Sequence, residues 1–327
     1  MTQRNMRRTY LLGAVLCSVL APAAAQAPAW PDKPITMIVP FPPGGVADTV
    51  ARPVAEALAR ELRQTVVVEN RAGAGGALGI GQAARAAPDG YTVLLSLSSI
   101  SILPEADRVL ERKPAFRLDD FKPIARFTAD PTVLVVRADA PWRTLADFIA
   151  DAKARPGAIN YGSSGNYGTM HVPMEMLSAD AGLKMTHIPY TGAGPAIVAL
   201  LGGQVDAIAS GPSTVVQQIQ GGKLRALAHW GEQPLAALPG VPSLTQTGHA
   251  VRFAQWSALF VPAKTPDAIV QRLRAAAAKV AADPAVRQVV AKAGSPIEYL
   301  DAPEFQRYWD SDAAAMTQAV RRIGKLE

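Results

Sequence analysis

The sequence predicts an α/β protein of two lobes, each a mainly parallel sheet flanked by helices. Three observations lead there. The chain has 327 residues, enough for two domains of roughly 150 residues each. Short apolar, β-branched runs alternate with helical patterns nearly end to end, the mark of strands joined by helical crossovers. Glycine and proline together make up about a sixth of the chain and gather in loops directly after the strands. With 49% hydrophobic and 18% charged residues, the chain buries enough apolar surface to exclude disorder.

The first 25 residues read as a leader. Arg4, Arg7 and Arg8 precede the apolar run 11–20, and Ala21-Pro-Ala-Ala-Ala25 offers small residues for cleavage after Ala25. A membrane anchor needs about 20 apolar residues, and Pro22 ends this run early. Arg7-Arg8-Thr-Tyr-Leu11 loosely resembles a twin-arginine motif, so Sec and twin-arginine export both stay open. The leader carries half of the +6 net charge and the single cysteine, Cys17. The mature chain is therefore expected to form no disulfide and to use no thiol nucleophile.

Residues 35–39 are a strand broken by Pro40-Phe-Pro-Pro-Gly-Gly45, after which Val46, Val50, Val54, Ala57 and Leu58 mark one face of a helix. A strand at 66–68, a glycine loop at 73–76, a helix at 78–87 and a strand at 92–95 follow. A second series starts with the apolar strand 132–136. It continues with a helix over 144–154 capped by Thr144, a strand at 160–162, a helix at 169–181 and a strand at 185–188. Helix 195–201, strand 205–209, helix 214–220 and strand 224–228 complete it. Residues 257–261 form a last strand, and helices at 266–282, 285–293 and 303–323 close the chain, two of them opening on Pro266 and Pro303. These amphipathic helices need a sheet to cover, so the C-terminal segment is expected to return to the first lobe, with crossings near 130 and 254.

Glycine or serine loops follow four of the predicted strands, at 40–48, 73–79, 162–168 and 191–194. Ligands of open α/β sheets sit beyond such strand ends, and the helix start after each loop offers unpaired N–H groups suited to an anion. Other chemistries fit less well. Gly73-Ala-Gly-Gly-Ala-Leu-Gly79 places its third glycine one residue late for a dinucleotide fingerprint. Gly162-Ser-Ser-Gly165 lacks the spacing of a nucleophile elbow. His171 and Glu175 share a helix face but have no third ligand in sequence, so no metal is expected. His187 and Tyr190 flank a strand end, as cleft wall or as packing. Basic residues are dispersed and carry no interleaved aromatics, which disfavours nucleic acid.

A series of segments then points to a family. Trp30-Pro-Asp-Lys-Pro-Ile35, Pro40-Phe-Pro-Pro-Gly-Gly-Val-Ala-Asp48 and Val67-Val-Glu-Asn-Arg-Ala-Gly-Ala-Gly-Gly76 resemble the Bug receptors, the periplasmic substrate-binding proteins of tripartite tricarboxylate transporters. So do Ala87-Pro-Asp-Gly-Tyr-Thr92, Tyr161-Gly-Ser-Ser-Gly165, His187-Ile-Pro-Tyr-Thr-Gly192, Leu200-Leu-Gly-Gly-Gln-Val-Asp206 and Gly222-Lys-Leu-Arg-Ala226. The resemblance spans essentially the whole mature chain in order.

It implies a two-lobed clamshell of the type II periplasmic-binding-protein fold, with residues 26–130 plus 254–327 in one lobe and 131–253 in the other. The clamshell closes by hinge motion on a small organic carboxylate: a di- or tricarboxylate, an aromatic acid or an acidic amino acid. Backbone amides and bridging waters are expected to hold it, without a cofactor, metal or catalytic step. The resemblance places Phe41, Gly44, Gly45, Ala47 and Asp48 on one wall. Ser163, Ser164, Gly165 and Thr169 form the other, with His171 and Tyr190 nearby. Asp48 is open to two roles, accepting an ammonium or fixing its own loop. The family often has Gly near the position of Ser96 and Asp at that of Ala209 or Ser210, so Ser96, Ser98, Ser99 and Ser210 are expected to supply a different polar lining. The implied partners are the transporter's membrane subunits, the location is the periplasm and the receptor is expected to be a monomer. Two alternatives stay open: an exported serine hydrolase using Ser163 or Ser164 with His171, and a sensory accessory presenting its ligand to a membrane kinase.

Overall fold

The computed structural model describes residues 30–325, so the leader read in residues 1–25, with Cys17, lies outside the described residues. The chain opens with β1 (Ile35–Val39), α1 (Val46–Leu62), β2 (Val66–Asn70), α2 (Ala77–Ala84), β3 (Thr92–Leu97), α3 (Ser99–Val109) and β4 (Phe121–Pro131). It continues through β5 (Val133–Arg137), α4 (Leu145–Ala154), β6 (Asn160–Ser163), α5 (Val172–Ala181), β7 (Thr186–Pro189), α6 (Ala193–Leu201), β8 (Ala207–Ser210), α7 (Pro212–Gln220) and β9 (Leu224–His229). The last elements are β10 (Ala254–Pro262), α8 (Asp267–Ala282), α9 (Pro284–Lys292), β11 (Leu300–Asp301) and α10 (Ala302–Ile323).

Two sheets result, in the orders β11-β4-β10-β3-β1-β2 and β7-β6-β8-β5-β9. Helices flank both, as expected, and both are mixed, so the parallel character holds for only part of each. β1 is parallel to β2 and β3, but β10 runs antiparallel to β3 and β4. In the second sheet β6 is parallel to β7 and β8, while β5 is antiparallel to β8 and β9. The cause is the passage between sheets. β4 feeds β5 through Thr132 alone, and β10 brings the chain back, so these strands arrive without the helical crossover that enforces a parallel neighbour.

Each sheet is covered on both faces. Val50, Val54 and Leu58 of α1 pack with Leu273 and Val280 of α8 against Met37, Val39, Leu95 and Phe127. The opposite face of this sheet is sealed by Ile80, Leu103, Phe305 and Trp309 against Ile38, Leu94, Trp256 and Phe260. In the second sheet, Phe148 and Leu177 cover Leu134, Val136 and Ala209 on one side. Ala196, Leu200 and Val215 cover Val133, Val135 and Ile208 on the other.

Two helices serve both cores. Ile100 and Leu103 of α3 belong to the first core, and Ile102 and Ala106 to the second. Likewise α10 buries Phe305 and Trp309 in one and Met316 and Val320 in the other. Arg321 Nε meets the buried Glu105 at 2.6 Å, tying the two helices together. The sequence reading placed no element between 96 and 131. Pro104 lies inside α3, and Lys122, Pro123, Arg126 and Asp130 interrupt the apolar pattern of β4.

Candidate functional site

The loops after β1, β6 and β7 meet between the two sheets. Phe41, Pro42, Gly45, Val46, Leu97 and Gln255 come from the six-stranded side, and Ser164, Thr169, Met170 and Ala193 from the five-stranded side. The void they enclose is about 10 Å³, which is about what one water needs. A Cβ added to Gly192 would lie 2.6 Å from Pro42, and one on Gly165 would lie 3.2 Å from the Gly75 nitrogen. The two walls are thus in direct contact. With the walls in this position the void has no room for a molecule larger than water.

Three helices begin at this contact. α1 starts at Val46, α6 at Ala193 and α7 at Pro212, and none of the three has a side-chain cap. Val46 and Ala193 line the void, while Gly211, at the start of α7, backs onto Val46 and Gln255. Elsewhere α4 and α9 are capped by Thr144 and Asp283, while α8 and α10, which do not line the void, also start without a side-chain cap. Uncapped helix starts leave N–H donors and a partial positive charge directed at the loops before them. The described residues that line the void carry no charged side chain. Negative charge placed there is met by dipoles and hydroxyls alone.

Several polar atoms at this junction are buried and, among the described residues, have no hydrogen-bond partner. They are the hydroxyls of Ser98, Ser99 and Ser164 and the Oε1 of Gln255. Such atoms are costly to leave unpaired, by roughly 1–3 kcal/mol each. The Nε2 of Gln255 donates to Thr169 Oγ1 at 2.5 Å, joining β10 to the loop before α5.

Asp48 is a structural residue of its loop. Its carboxylate accepts Gly44 N at 2.9 Å, Arg52 Nε at 2.8 Å, Arg52 Nη2 at 2.9 Å and Asn70 Nδ2 at 3.0 Å. Burial alone would raise its pKa, and the bonds from Arg52, Gly44 and Asn70 outweigh that and hold the carboxyl below its usual value. Asn70 also donates to the Phe41 carbonyl, so the same network fixes the aromatic wall.

The remaining expected residues divide clearly. Phe41, Gly45, Ser164 and Thr169 face the void. Gly165 and Tyr190 instead line an outer groove of about 580 Å³ beside it, together with Gly75, Leu103 and Arg112. Ala47 is turned into the first core, a correction that follows from its place on the buried face of α1. Ser96 donates to the Leu97 carbonyl at 3.2 Å and Ser210 pairs with Thr214 Oγ1 at 2.9 Å, so both are satisfied internally and off the lining. Ser163 Oγ lies 2.6 Å from His187 Nε2, not at His171. His171 is fully buried, accepts Tyr167 N at its Nδ1 and stacks on His187. The hydrolase alternative loses its pair.

Burial drives His171 down to about 3, with the neighbouring His187 adding to the effect, and burial drives His187 down to about 4. Both rings are neutral near pH 7. With Tyr161, which stacks on His187 and bonds Glu175, they form one stack of rings, joined to the Ser163–Gly165 loop through the His187–Ser163 contact.

The sequence reading missed Gln255 and Leu97. Gln255 lies outside every glycine loop, and Leu97 ends a strand that reads as plain core. A signal for Gln255 was present, in a long polar side chain near the start of a mostly apolar strand.

The profile of the tripartite tricarboxylate transporter family receptor matches residues 50–325. This chain belongs to that family. A UPF0065 protein of Bordetella pertussis is 35% identical over 274 residues, covering 83% of this chain and 84% of the relative. A solved structure described as that of a periplasmic transporter superposes with a TM-score of 0.85 at 34% identity, covering 90% of this chain and 98% of that one. MatC of Rhodopseudomonas palustris with bound malate gives a TM-score of 0.82 at 28% identity, covering 89% of this chain and all of its own. Tripartite tricarboxylate transporter receptors of this kind bind solutes and perform no catalysis. The two-lobed fold of such binding proteins is the one observed here.

Proposed function

We propose that this receptor captures a small organic carboxylate in the periplasm and delivers it to the membrane subunits of a tripartite tricarboxylate transporter. Among the described residues the lobes are 30–130 with 254–325 and 131–253, and the ligand sits where Phe41, Gly45, Ser164 and Thr169 converge. One observation carries the reading: uncapped helix starts from both sides meet at a single void that no charged side chain lines. Such a site favours an anion through fixed dipoles and desolvated hydrogen bonds. The malate held by MatC, a relative of the same shape, agrees with it.

A thermal-shift screen of mono-, di- and tricarboxylates, aromatic acids and acidic amino acids tests the reading. A ligand at 100 times its Kd adds about 2.7 kcal/mol of stability, and the melting temperature is expected to rise by several degrees. A Cβ at Gly45 meets only the Pro42 carbonyl, at 3.5 Å. Gly45→Trp is therefore expected to abolish the shift while leaving the unliganded transition in place. A flat response of the unsubstituted protein across the whole panel overturns the proposal.

A further inference from the structure

Asp130 is the penultimate residue of β4, and only Pro131 and Thr132 separate it from β5, where the chain passes from one sheet to the other. It is 3% exposed, and its Oδ2 has no hydrogen-bond partner among the described residues. Gln255 of β10 stands directly opposite in the sheet, so the two side chains share a face, and Ser295 lies beside Asp130. Both neighbours touch α7 of the other lobe. A Cβ on Gly211, at the start of α7, would lie 2.5 Å from Gln255 Oε1. One on Gly294, next to Ser295, would lie 3.1 Å from Val216 and 3.4 Å from Pro212. Asp130 therefore sits beneath a contact between the lobes.

Negative charge is poorly met there. Neither α7 nor β10 carries a charged residue. Of the charged groups that act on Asp130, Glu298 repels the ionised carboxyl, while the Arg126 guanidinium is turned to the Glu298 carbonyl and the Tyr308 ring.

We propose that Asp130 links ligand capture to proton uptake, its carboxyl being buried in the protonated form when the lobes close and ionising when they open; this rests on the reading above, that a carboxylate is enclosed between the lobes. Withdrawal of α7 from Gln255 and Gly294 admits water to the carboxyl, and hydration favours the charged form that burial disfavours. The Ser295 and Thr128 hydroxyls favour the charged form in the closed position too, but burial outweighs them and holds the carboxyl at about 7. The closed state thus binds more protons than the open one near neutral pH, and affinity falls as pH rises.

Calorimetric titration tests this, using a carboxylate found by the thermal-shift panel whose own groups are fully ionised above pH 6. Run at pH 7 in buffers of different ionisation heat, it is expected to show uptake of about half a proton per ligand, and the affinity is expected to fall about tenfold from pH 6 to pH 8. Asp130→Asn keeps the shape and has no proton to exchange, so it is expected to bind with neither the uptake nor the slope. Asp312, a second buried carboxyl, receives Ser101 Oγ at 2.6 Å between α3 and α10, and Asp312→Asn is expected to keep the uptake. A parent protein that binds without proton exchange overturns the proposal while the carboxylate reading stands. So does an Asp130→Asn variant that keeps the uptake or loses binding, or an Asp312→Asn variant that loses the uptake. If the panel yields no carboxylate ligand, the reading of the preceding section falls, and this proposal with it.

Discussion

Arg52 grips Asp48 one helical turn away, with Nε to Oδ2 at 2.8 Å and Nη2 to Oδ1 at 2.9 Å. Asp48 is buried, and its remaining bonds reach Gly44 and Asn70. Asp48→Asn converts an acceptor-only group into one with two donors facing the Arg52 and Asn70 donors. A loss of about 1–3 kcal/mol in chemical denaturation is expected. Since the folded carboxyl titrates below its unfolded value, its contribution is present above about pH 4 and is lost as pH falls through the folded pKa. Equal stability of the two proteins at pH 7 would remove Asp48 from the loop's support.

Gly192 touches Pro42 across the cleft, and a Cβ there would lie 2.6 Å from the proline ring. Its backbone is extended, so a β-branched residue is sterically acceptable within its own lobe. Gly192→Val is expected to hold the walls apart. Small-angle scattering should give a larger radius of gyration, and the affinity for any carboxylate identified by thermal shift should fall at least about tenfold, a cost near 1.4 kcal/mol. Unchanged scattering and affinity would show that this contact does not limit closure.

His187 is neutral when folded down to about pH 4, whereas the unfolded ring titrates near 6.5. Between these values the unfolded chain binds the extra proton, so the folded state loses stability as pH falls. His187→Gln keeps a polar group for Ser163 and removes the titration. The stability of the parent relative to this variant is expected to drop by about 2 kcal/mol from pH 7 to pH 4.5. A pH-independent difference would contradict the assignment.

Asp130 acts in the opposite direction. Burial pushes it up to about 7, against the pull of Ser295 and Thr128 and with the help of Glu298, so folding favours its protonated form. Stability is lost as pH rises from about 4 to 7, because the unfolded carboxyl ionises first. Asp130→Asn is expected to be near neutral at pH 4 and stabilising by up to about 4 kcal/mol at pH 8. Because the His187 and Asp130 windows overlap with opposite sign, the parent's own pH curve is flattened, and the paired variants are the readout. A destabilised Asp130→Asn at pH 8 would show that the charged form is the native one.

Much of this architecture was legible because its signals are local. Alternating strand and helix patterns mark the loops after β1 and β6, and the glycine before α1 marks a helix start without a side-chain cap. What escaped is non-local. β4 reads as polar because Arg126 and Asp130 are reconciled by distant neighbours, from β10, β11, the Ser295–Glu298 segment and Tyr308 of α10. Gln255 gains its meaning from Thr169, 86 positions away. His187 reads from the sequence as wall or packing beside Tyr190, and its bond to Ser163 depends on the β6–β7 pairing, which no spacing reveals.

The two helices that bury side chains in both cores have a consequence for cooperativity. With Trp309 in one core and Val320 in the other, α10 cannot leave one lobe without exposing its partner. The lobes are separate as sheets and inseparable as folding units. Calorimetry is expected to show a single melting transition, and a ligand gripped by a few loop atoms raises the melting point of the entire molecule.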